Sequence, residues 1–318
     1  MQKLSIMKKI GVCIVTYNHQ EFIAQAIESV LEQRCNATVV IYIGEDHSTD
    51  ATADICKSLS DKNPDRIKLF KRYQNLGLVA NTVDLFKKIQ ADNCDYIAML
   101  DGDDFWIDQD KLQKQLDFLE DNPEYGLVHT NLKLLYSDGT INKNSRKNVI
   151  SGFVFDINPI PAIGNCTVCF RTELLDKCNF DDFISWQFMS VDYVMYIILA
   201  KYTKFQFLAD STAMWRRGHP SVSNTGSMQN QINYLENGIR MWHYLNYLFP
   251  ERFPYNEFAV EGFRNYSTLQ IAFKFKNYQK AHDVARLNLG RKGLKIKIKK
   301  LITKNRLLFD LYCKIFRK

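Results

Sequence analysis

Three carboxylates crowd one short stretch of the sequence, M-L-D-G-D-D-F-W, which runs from Met99 to Trp106. Asp101, Asp103 and Asp104 follow an apolar run, where a strand is expected to end. Like charges at this spacing repel, so such a cluster persists where water solvates it or a cation compensates it. An Asp-x-Asp at a strand end can give oxygens to a divalent cation shared with phosphates, and a solvated acidic turn before a helix explains the same residues.

A second acidic group stands in G-E-D-H-S-T-D, residues 44–50. The second half, S-T-D, suits the cap of a following helix. Capping leaves Glu45 and Asp46 unexplained, and a carboxylate at a strand end can accept hydrogen bonds from a ribose or a base. Two acidic strand ends in one sheet therefore favour a nucleotide ligand.

The common phosphate-binding loops are absent from the sequence. No G-x-G-x-x-G follows the first apolar run, and no G-x-x-x-x-G-K-[ST] occurs anywhere. Neither dinucleotide binding nor a P-loop is indicated. If phosphates bind, a metal and side chains have to hold them, which agrees with the acidic cluster.

Two later segments carry groups that could take part in catalysis. Asp192 is the one carboxylate of S-V-D-Y-V-M-Y-I-I-L-A-K, and it suits either a helix start or a general base in a partly desolvated pocket. The segment W-R-R-G-H-P-S-V-S brings together Arg216, Arg217 and His219. These side chains suit diphosphate oxygens or a metal, although a plain surface loop needs no such explanation.

The elements that would position these residues alternate along the first 130 residues. Continuous apolar runs predict buried strands, and apolar spacing of three and four predicts helices. The predicted strands are 10–16, 38–43, 67–70 and 96–100, with helices at 21–33, after S-T-D-A-T and around 79–89. This βαβαβαβ order is typical of a mainly parallel, doubly wound sheet, in which ligands bind beyond the carboxyl ends of the strands.

Beyond residue 130 the alternation becomes looser. The polar stretch 136–148 is predicted to be a turn or a mobile loop. An apolar run at 163–170, a helix at 192–201 and a helical, aromatic-rich region at 228–289 follow.

Composition describes a globular chain of 318 residues with 46% apolar and 24% charged content, enough for one large domain or two modest ones. No apolar run reaches the about 18 residues of a membrane span, and the start lacks the apolar core of a signal peptide. We therefore expect a cytoplasmic protein. Its eight cysteines are scattered, as expected of buried, reduced thiols.

The net charge of +7 comes from the end of the chain. Residues 291–318 hold eleven Lys or Arg and one acidic residue, so the rest of the chain is slightly acidic. Apolar residues near helical spacing predict a basic amphipathic helix on anionic lipid, with docking on the preceding globular part of the chain or nucleic-acid binding as alternatives. No RNA- or DNA-binding module accompanies the charge, which argues against nucleic acid. The apolar residues are Leu294, Ile298, Leu301, Leu308, Tyr312 and Ile315.

Three motifs together resemble a known family. V-C-I-V-T-Y-N-H-Q-E-F, E-D-H-S-T-D and L-D-G-D-D-F-W resemble the inverting family-2 glycosyltransferases of bacterial surface-polysaccharide type. The likeness covers residues 8–130 and continues more weakly through V-D-Y and R-G-H-P-S-V-S to about 224. It implies an α/β GT-A nucleotide-diphospho-sugar transferase fold. The implied parts are a catalytic domain at 1–225 with a nucleotide-sugar half at 1–130 and an acceptor and base half at 131–225, a helical extension at 226–290, and the basic tail at 291–318.

The resemblance also implies a nucleotide-sugar site. Thr16, Tyr17 and Asp46 match the residues that hold the base and ribose, and Glu21 matches an acidic residue near the base. His47 stands where the family often has glycine, so the shape of that turn is open.

The metal and catalytic residues are implied in the same way. Asp103 is the first choice as ligand of Mn²⁺ or Mg²⁺, and Asp101 contacts ribose or metal. Asp192 matches the catalytic base, although the family's neighbouring Glu is Val191 here. Arg217 and His219 match an Arg-x-His element near the diphosphate, with His219 as a further metal ligand.

The implied reaction is a single displacement with inversion. A hydroxyl of a saccharide or lipid-linked saccharide attacks a nucleoside-diphosphate sugar, by family habit a uridine diphosphate sugar, at the inner face of the cell membrane. A sugar nucleotidyltransferase is the alternative enzyme, but the T-Y-N-H-Q-E after the first strand lacks its glycine-rich, basic loop. A non-catalytic membrane-associated adaptor with the same fold is the alternative from another class.

Overall fold

The computed structural model describes residues 7–144, 150–157, 163–219, 226–291 and 293–315. Parts of four predicted segments lie outside the described residues: the first six residues, the end of the polar stretch 136–148, the P-S-V-S of R-G-H-P-S-V-S, and residues 316–318 of the tail. The chain divides into two compact units. The first comprises 1–185 and 190–218, and the second comprises 186–189 and 219–318.

The first unit begins with four parallel strands and three helices. The strands are β1 (Lys9–Thr16), β2 (Thr38–Glu45), β3 (Ile67–Lys71) and β4 (Tyr96–Asp101), and the helices are α1 (Ile23–Leu31), α2 (Thr52–Lys62) and α3 (Leu78–Ala91). The strand order is β3-β2-β1-β4. The predicted alternation and doubly wound parallel sheet are confirmed, with strand ends shifted by one or two residues at most.

The rest of the first unit extends the sheet with mixed directions. Its elements are β5 (Phe105–Trp106), α4 (Lys111–Asp121), β6 (Tyr125–Tyr136), β7 (Ile141–Asn144), β8 (Cys169–Arg171), α5 (Phe180–Ser185), α6 (Asp192–Tyr202) and β9 (Lys204–Arg217). β8 lies antiparallel to β4 and β6, and β9 runs parallel to β6. The loop prediction for 136–148 is wrong in part, because residues 141–144 pair with β6 as a hairpin strand.

Continuous apolar strands explain why the first unit folds in layers. Ile10, Val12 and Ile14 of β1 are completely buried, as expected of a parallel strand covered on both faces. Helix α6 is buried on all sides from Val194 to Ala200, so a polar side chain in that stretch needs a partner within the protein. Asp192 lies at the amino end of this helix, before the buried stretch.

A buried lysine at the start of α4 makes the free energy of unfolding depend on pH. Lys111 is fully buried, its Nζ donates to Gln115 Oε1 at 2.6 Å, and it lies 4.3 Å from the ring centre of Trp106. Burial lowers the pKa of Lys111 to about 8. Unfolding restores the ordinary pKa, so the unfolded chain binds an extra proton between the two values and the folded state gains stability as the pH rises through that window.

We therefore expect the free energy of unfolding to rise, relative to Lys111→Met, by about 2 kcal/mol between about pH 7 and about pH 10. Urea unfolding of both proteins at the two pH values measures this difference. Lys57→Met, which removes an exposed lysine paired with Asp61, is the control and should show no such change with pH. A difference for Lys111→Met that does not vary with pH would contradict the buried charge.

The second unit is helical. Its helices are α7 (Met228–Leu248), α8 (Glu257–Lys274), α9 (Tyr278–Ala285), α10 (Leu294–Ile302) and α11 (Arg306–Ile315). Side chains of Ser227, Asn256 and Asn277 cap the first three by accepting backbone N–H bonds at 2.9–3.1 Å. The predicted helical region at 228–289 is confirmed as three helices.

The basic tail forms two helices, whereas the sequence predicts one. A turn at 303–305 separates them, and Asn305 Oδ1 accepts the N–H groups of Leu307 and Leu308 to start α11. One face packs against α8 and α9, because Phe309 and Cys313 belong to the buried cluster of Leu269, Phe273 and Val284. Among the described residues, no helix is long and apolar enough to cross a membrane.

Candidate active site

The carboxyl ends of three parallel strands meet at one edge of the sheet. Thr16 at the end of β1 pairs with Glu45 at the end of β2, and Val15 pairs with Asp101 at the end of β4. The predicted nucleotide and metal segments are thereby brought to adjacent strand ends. Parallel pairing, rather than nearness in sequence, produces this grouping.

The loops after β1 and β2 are joined by hydrogen bonds. Asn18 N–H donates to Ser48 Oγ at 3.0 Å, and Asn18 Oδ1 accepts the N–H of Thr49 at 2.8 Å. Asn18 needs a φ of 56° for this, and His47 has a φ of 61°, the left-handed conformation that glycine adopts most easily. His47 thus adopts, at a cost in strain, a backbone conformation that suits the glycine often found at this position in the family.

The predicted base-binding residues differ in exposure. Tyr17 is 42% exposed and Glu21 is exposed, so both side chains are open to a ligand. Thr16 is buried, and its Oγ1 lies 3.2 Å from His19 Nδ1. Their nucleotide contacts stay predictions.

The two acidic residues at the end of β2 accept hydrogen bonds from backbone groups of nearby loops. Asp46 is buried, with its two carboxylate oxygens accepting the N–H groups of Leu76 at 2.8 Å and Gly77 at 2.9 Å. Glu45 is fully buried, and its Oε1 accepts the N–H of Ser48 at 2.7 Å. Each carboxylate shapes a loop at the sheet edge, and the ribose contact of Asp46 stays a prediction.

The D-G-D-D segment makes a tight turn at the end of β4. Asp104 N–H donates to Asp101 O at 3.0 Å, and Gly102 N–H donates to Val15 O at 3.1 Å. A Cβ on Gly102 would lie 2.8 Å from Thr16 Cβ, which is too close for two carbon atoms. Glycine is required because the acidic turn lies directly against the end of β1.

The charge of Asp101 is strongly disfavoured by its surroundings. Burial, then the charges of Asp103 and Asp192, raise the pKa of Asp101 to about 7, and a hydrogen bond from Asn165 opposes the rise. The charges of Asp103 and Asp192 thus both act on the Asp101 carboxylate. Their mutual repulsion is the kind that a bound cation relieves.

Asp104 links the acidic turn to β9 through a hydrogen bond with the backbone of Arg216. It is buried, and its Oδ1 accepts the N–H of Arg216 at 2.9 Å, while the Arg216 guanidinium donates to Asp103 O at 2.6 Å. The guanidinium lies between the rings of Phe22 and Phe105, 4.9 and 4.5 Å from their centres. Asp104 and Arg216 thus fasten β9 to the acidic turn, which fixes the backbone that carries Asp103.

Asp192 is available for chemistry. It is the first residue of α6, preceded by Val191, whose side chain offers no cap. Of the residues that the structure describes, none donates a hydrogen bond to its half-buried carboxylate. Backbone amides at the start of α6 therefore do not bind the Asp192 carboxylate among the described residues, in contrast to the alternative in which Asp192 only caps the helix.

The two residues of the Arg-x-His element lie in different units. Arg217 ends β9 with an exposed side chain, and its guanidinium lies 4.5 Å from the ring centre of Trp215. His219 belongs to the second unit and is half-buried. The diphosphate role of Arg217 and the metal role of His219 stay predictions.

Protein side chains alone make no complete metal site within the described part of the chain. No group there brings together three or more His, Cys, Asp or Glu side chains around a common point. A cation at Asp101 and Asp103 would therefore need further oxygens from a ligand or water, as is usual where a metal is shared with phosphates.

A cleft of about 450 Å³ lies at the opposite end of β4. Lys8, Asp95, Tyr96, Arg171 and Thr172 line part of it. It borders the amino end of a parallel strand, whereas α/β sheets bind ligands beyond the carboxyl ends. The acidic edge, not this cleft, is the candidate active site.

Sequence reasoning missed Asn165 and Tyr196. Asn165 Nδ2 donates to Asp101 Oδ1 at 2.9 Å, and Tyr196 OH donates to Asn165 Oδ1 at 2.7 Å. The available signal is weak: Asn165 is a polar residue within the run 163–170, which is otherwise predicted as apolar core.

The family model for glycosyl transferase family 2 matches residues 11–178, more than half of the chain. The chain therefore belongs to glycosyl transferase family 2, as the motifs predict. Among curated relatives, the dTDP-rhamnosyl transferase RfbG of Shigella flexneri is 29% identical over 167 residues, which cover 51% of this chain and 55% of RfbG. The chain spans 35% of the length of mycobacterial relatives that are 33% identical to it over 125 residues.

Solved structures confirm the GT-A fold. The TarS 1–349 structure of S. aureus in complex with UDP-GlcNAc is 15% identical, covers 97% of this chain and 93% of its own, and has a TM-score of 0.54. The mannosyltransferase PcManGT from Pyrobaculum calidifontis, in complex with GDP-Man and Mn²⁺, is 12% identical, covers 98% and 87%, and also has a TM-score of 0.54. At these identities the likeness shows the fold alone.

Proposed function

We propose that this glycosyltransferase moves a sugar from a nucleoside-diphosphate sugar, with uridine diphosphate favoured, to a hydroxyl of a saccharide or lipid-linked saccharide in surface-polysaccharide synthesis. The observation that carries the proposal is the pairing of the carboxyl ends of β1, β2 and β4, which brings the acidic turn at Asp101 to the same sheet edge as the loops after Thr16 and Glu45. TarS bound to UDP-GlcNAc and PcManGT bound to GDP-Man support a nucleotide-sugar donor.

Donor binding is assigned to the loops at the sheet edge. Tyr17 and Glu21 are exposed beside the end of β1 and would contact the base. Thr16 and Asp46 would shape the floor beneath the nucleotide, since both are buried. Arg217, exposed at the end of β9, would donate to the diphosphate.

A divalent cation fits the acidic turn. Asp101 and Asp103 are close enough that each charge disfavours the other, and hard oxygen ligands of this kind suit Mn²⁺ or Mg²⁺. When bound, such a cation would supply Lewis-acid stabilisation of the charge on the leaving diphosphate. Arg216 would hold Asp103 in position, because its guanidinium donates a hydrogen bond to the Asp103 backbone oxygen.

Asp192 would act as general base in a single displacement. The acceptor oxygen forms a bond to the anomeric carbon and gives its proton to the Asp192 carboxylate. The bond from that carbon to the diphosphate oxygen breaks, and the nucleoside diphosphate leaves with the electron pair. Attack opposite the leaving group inverts the anomeric configuration.

The test is a screen of nucleotide sugars with the purified chain and Mn²⁺. We expect one donor class to yield free sugar and nucleoside diphosphate, and expect chelation of the metal to stop the reaction. NMR of a transferred sugar then reports whether its configuration is inverted. Release of nucleoside monophosphate, or retention of configuration, would contradict the proposed reaction.

We also propose that the basic tail contacts anionic lipid at the inner face of the cell membrane, where lipid-linked acceptors would be met. Leu294, Ile298 and Leu301 recur at helical spacing along one face of α10 and are 42–74% exposed. Ile296 and Ile302 pack against the helical core instead. The tail thus has a docked face and an exposed apolar face.

The second tail helix repeats this arrangement. Leu307, Leu308 and Leu311 of α11 are 47–80% exposed, while Phe309 and Cys313 are buried. Exposed basic side chains flank both apolar faces, which is the charge pattern that an anionic membrane attracts. These side chains are Lys295, Lys297, Lys304, Arg306 and Lys314.

A double substitution on α10 is the direct test of this surface. Leu294→Ser combined with Leu301→Ser is expected to weaken binding to anionic liposomes by about tenfold or more, because two exposed apolar side chains are lost. Co-sedimentation of the full chain measures it. Tyr247→Ser with Phe258→Ser, at 72% and 68% exposure on α7 and α8, is the matched control and should bind as wild type. Equal binding by all three proteins would contradict the membrane proposal.

A further inference from the structure

We propose that Asn165 and Tyr196 are positioning residues that orient the Asp101 carboxylate and fix its spacing from the first turn of α6. The inference rests on the proposed function, since it concerns the same acidic edge. It gives a positioning role to two side chains that belong to none of the motifs recognised in the sequence.

The hydrogen bonds define the orientation of each group. Asn165 Nδ2 donates to Asp101 Oδ1 at 2.9 Å, and Asn165 Oδ1 accepts from Tyr196 OH at 2.7 Å. An ionised carboxylate only accepts, so the amide has to present nitrogen to Asp101 and oxygen to the phenol. Turning the amide over would place Asn165 Oδ1 against the Asp101 carboxylate, so the bond to Asp101 would be lost.

The chain of hydrogen bonds joins three different elements. Asp101 ends β4, Asn165 lies in the 3₁₀ turn Asn165–Thr167, and Tyr196 lies on α6. Tyr196 is 4% exposed and stands four residues after Asp192, which places both on the same face of the helix. The proposed base and the proposed metal carboxylate are therefore held by one continuous support.

A neutral amide is the appropriate partner for a carboxylate that is proposed to bind a metal. A cation at position 165 would neutralise Asp101 and compete with a bound metal, whereas a neutral amide orients the carboxylate and leaves its charge. Asp101 Oδ1 accepts from Asn165, and no other donor among the described residues is hydrogen-bonded to this carboxylate, so it keeps acceptor capacity for a ligand.

The test compares Asn165→Ala, Tyr196→Phe and the double variant with wild type. The readout is the affinity for uridine diphosphate in the presence of Mn²⁺, measured by calorimetry without acceptor, with guanosine diphosphate used if uridine diphosphate does not bind. We expect Asn165→Ala to weaken this affinity by about tenfold, as loss of a partner of a metal ligand does. We expect Tyr196→Phe to weaken it less, and the double variant to match Asn165→Ala, because the phenol acts through the amide.

The matched control is Tyr96→Phe. Tyr96 is also buried in the first unit, and its hydroxyl donates to Glu120 and accepts from Arg171 at the other end of β4. This variant should lose stability and keep its affinity. Thermal unfolding of every variant separates a folding defect from an effect on binding.

The outcomes separate the two proposals. Nucleotide binding by wild type that is unchanged in Asn165→Ala and Tyr196→Phe would overturn the positioning role alone. Additive losses in the double variant would overturn the serial arrangement. Wild-type protein that binds neither nucleotide with Mn²⁺ would overturn the proposed function and this inference with it. If Asn165→Ala fails to fold, Tyr196→Phe, which removes one oxygen atom, still decides the matter.

Discussion

Asp192→Asn is expected to lower the rate of sugar transfer by about 10²–10⁴-fold, the usual contribution of a general base. Asparagine has the size of aspartate and cannot take up the proton of an acceptor hydroxyl. The affinity for donor should change little, because Asp192 is proposed to contact the acceptor and not the nucleotide. Single-turnover transfer measures the rate, and calorimetric titration with the nucleoside diphosphate measures the affinity.

The structure supplies a matched control for this substitution. Asp54 also lies in the first turn of a helix, α2, and its side chain is exposed. Asp54→Asn removes a comparable helix-start charge and should leave transfer unchanged. Equal losses of rate and donor affinity in Asp192→Asn would remove Asp192 from the role of base.

Asp103→Asn is expected to lower metal-dependent turnover by about 10²–10³-fold and to raise the Mn²⁺ concentration needed for half-maximal activity. The amide keeps the shape of the turn, and the Asp103 backbone oxygen still accepts from Arg216. What is lost is one anionic oxygen ligand beside Asp101. Initial rates over a Mn²⁺ titration measure both effects.

Asp110→Asn is the control for this second prediction. Asp110 is an exposed carboxylate at the start of α4, a few residues after the acidic turn. Its loss should change neither the rate nor the metal requirement. If Asp103→Asn shows the wild-type dependence on Mn²⁺, the metal is bound elsewhere or is not required.

Much of the fold was predictable because buried strands have a simple pattern of consecutive apolar residues. A parallel strand covered on both faces is apolar throughout, so Ile10–Ile14 and Tyr96–Leu100 stand out in the sequence. Parallel pairing then brings the residues after those strands together. The hairpin strand β7 was missed because its sequence I-N-K-N is polar and short.

The uses of the individual carboxylates were less predictable. Asp46 is conspicuous at a strand end, and its two oxygens are engaged by backbone N–H groups about thirty positions later in the chain. Asp104 is adjacent to the metal motif in sequence, and it binds the backbone of Arg216, 112 positions away. Contacts over such separations leave no local pattern to detect.

The basic tail likewise combines a feature that the sequence predicts with one that only packing decides. Helical spacing of its apolar residues predicts an amphipathic surface, and the structure has exposed leucines on both tail helices. The break at residues 303–305 and the burial of Phe309 depend on packing against α8 and α9. Periodicity indicates that a helix has an apolar face, and it does not indicate whether protein or lipid covers it.

The sequence by itself determined the order of strands and helices from β1 to β4, the acidic turn that follows β4 and the resemblance to the family, because each depends on neighbouring residues. Only the tertiary structure decided which carboxylates serve the framework and which stay available. Asp46 and Asp104 are buried with backbone N–H partners, Asp101 is oriented by Asn165, and Asp192 begins a buried helix. The physical reason is that the state of a carboxylate depends on its burial and on its hydrogen-bond donors, and distant segments of the chain supply both.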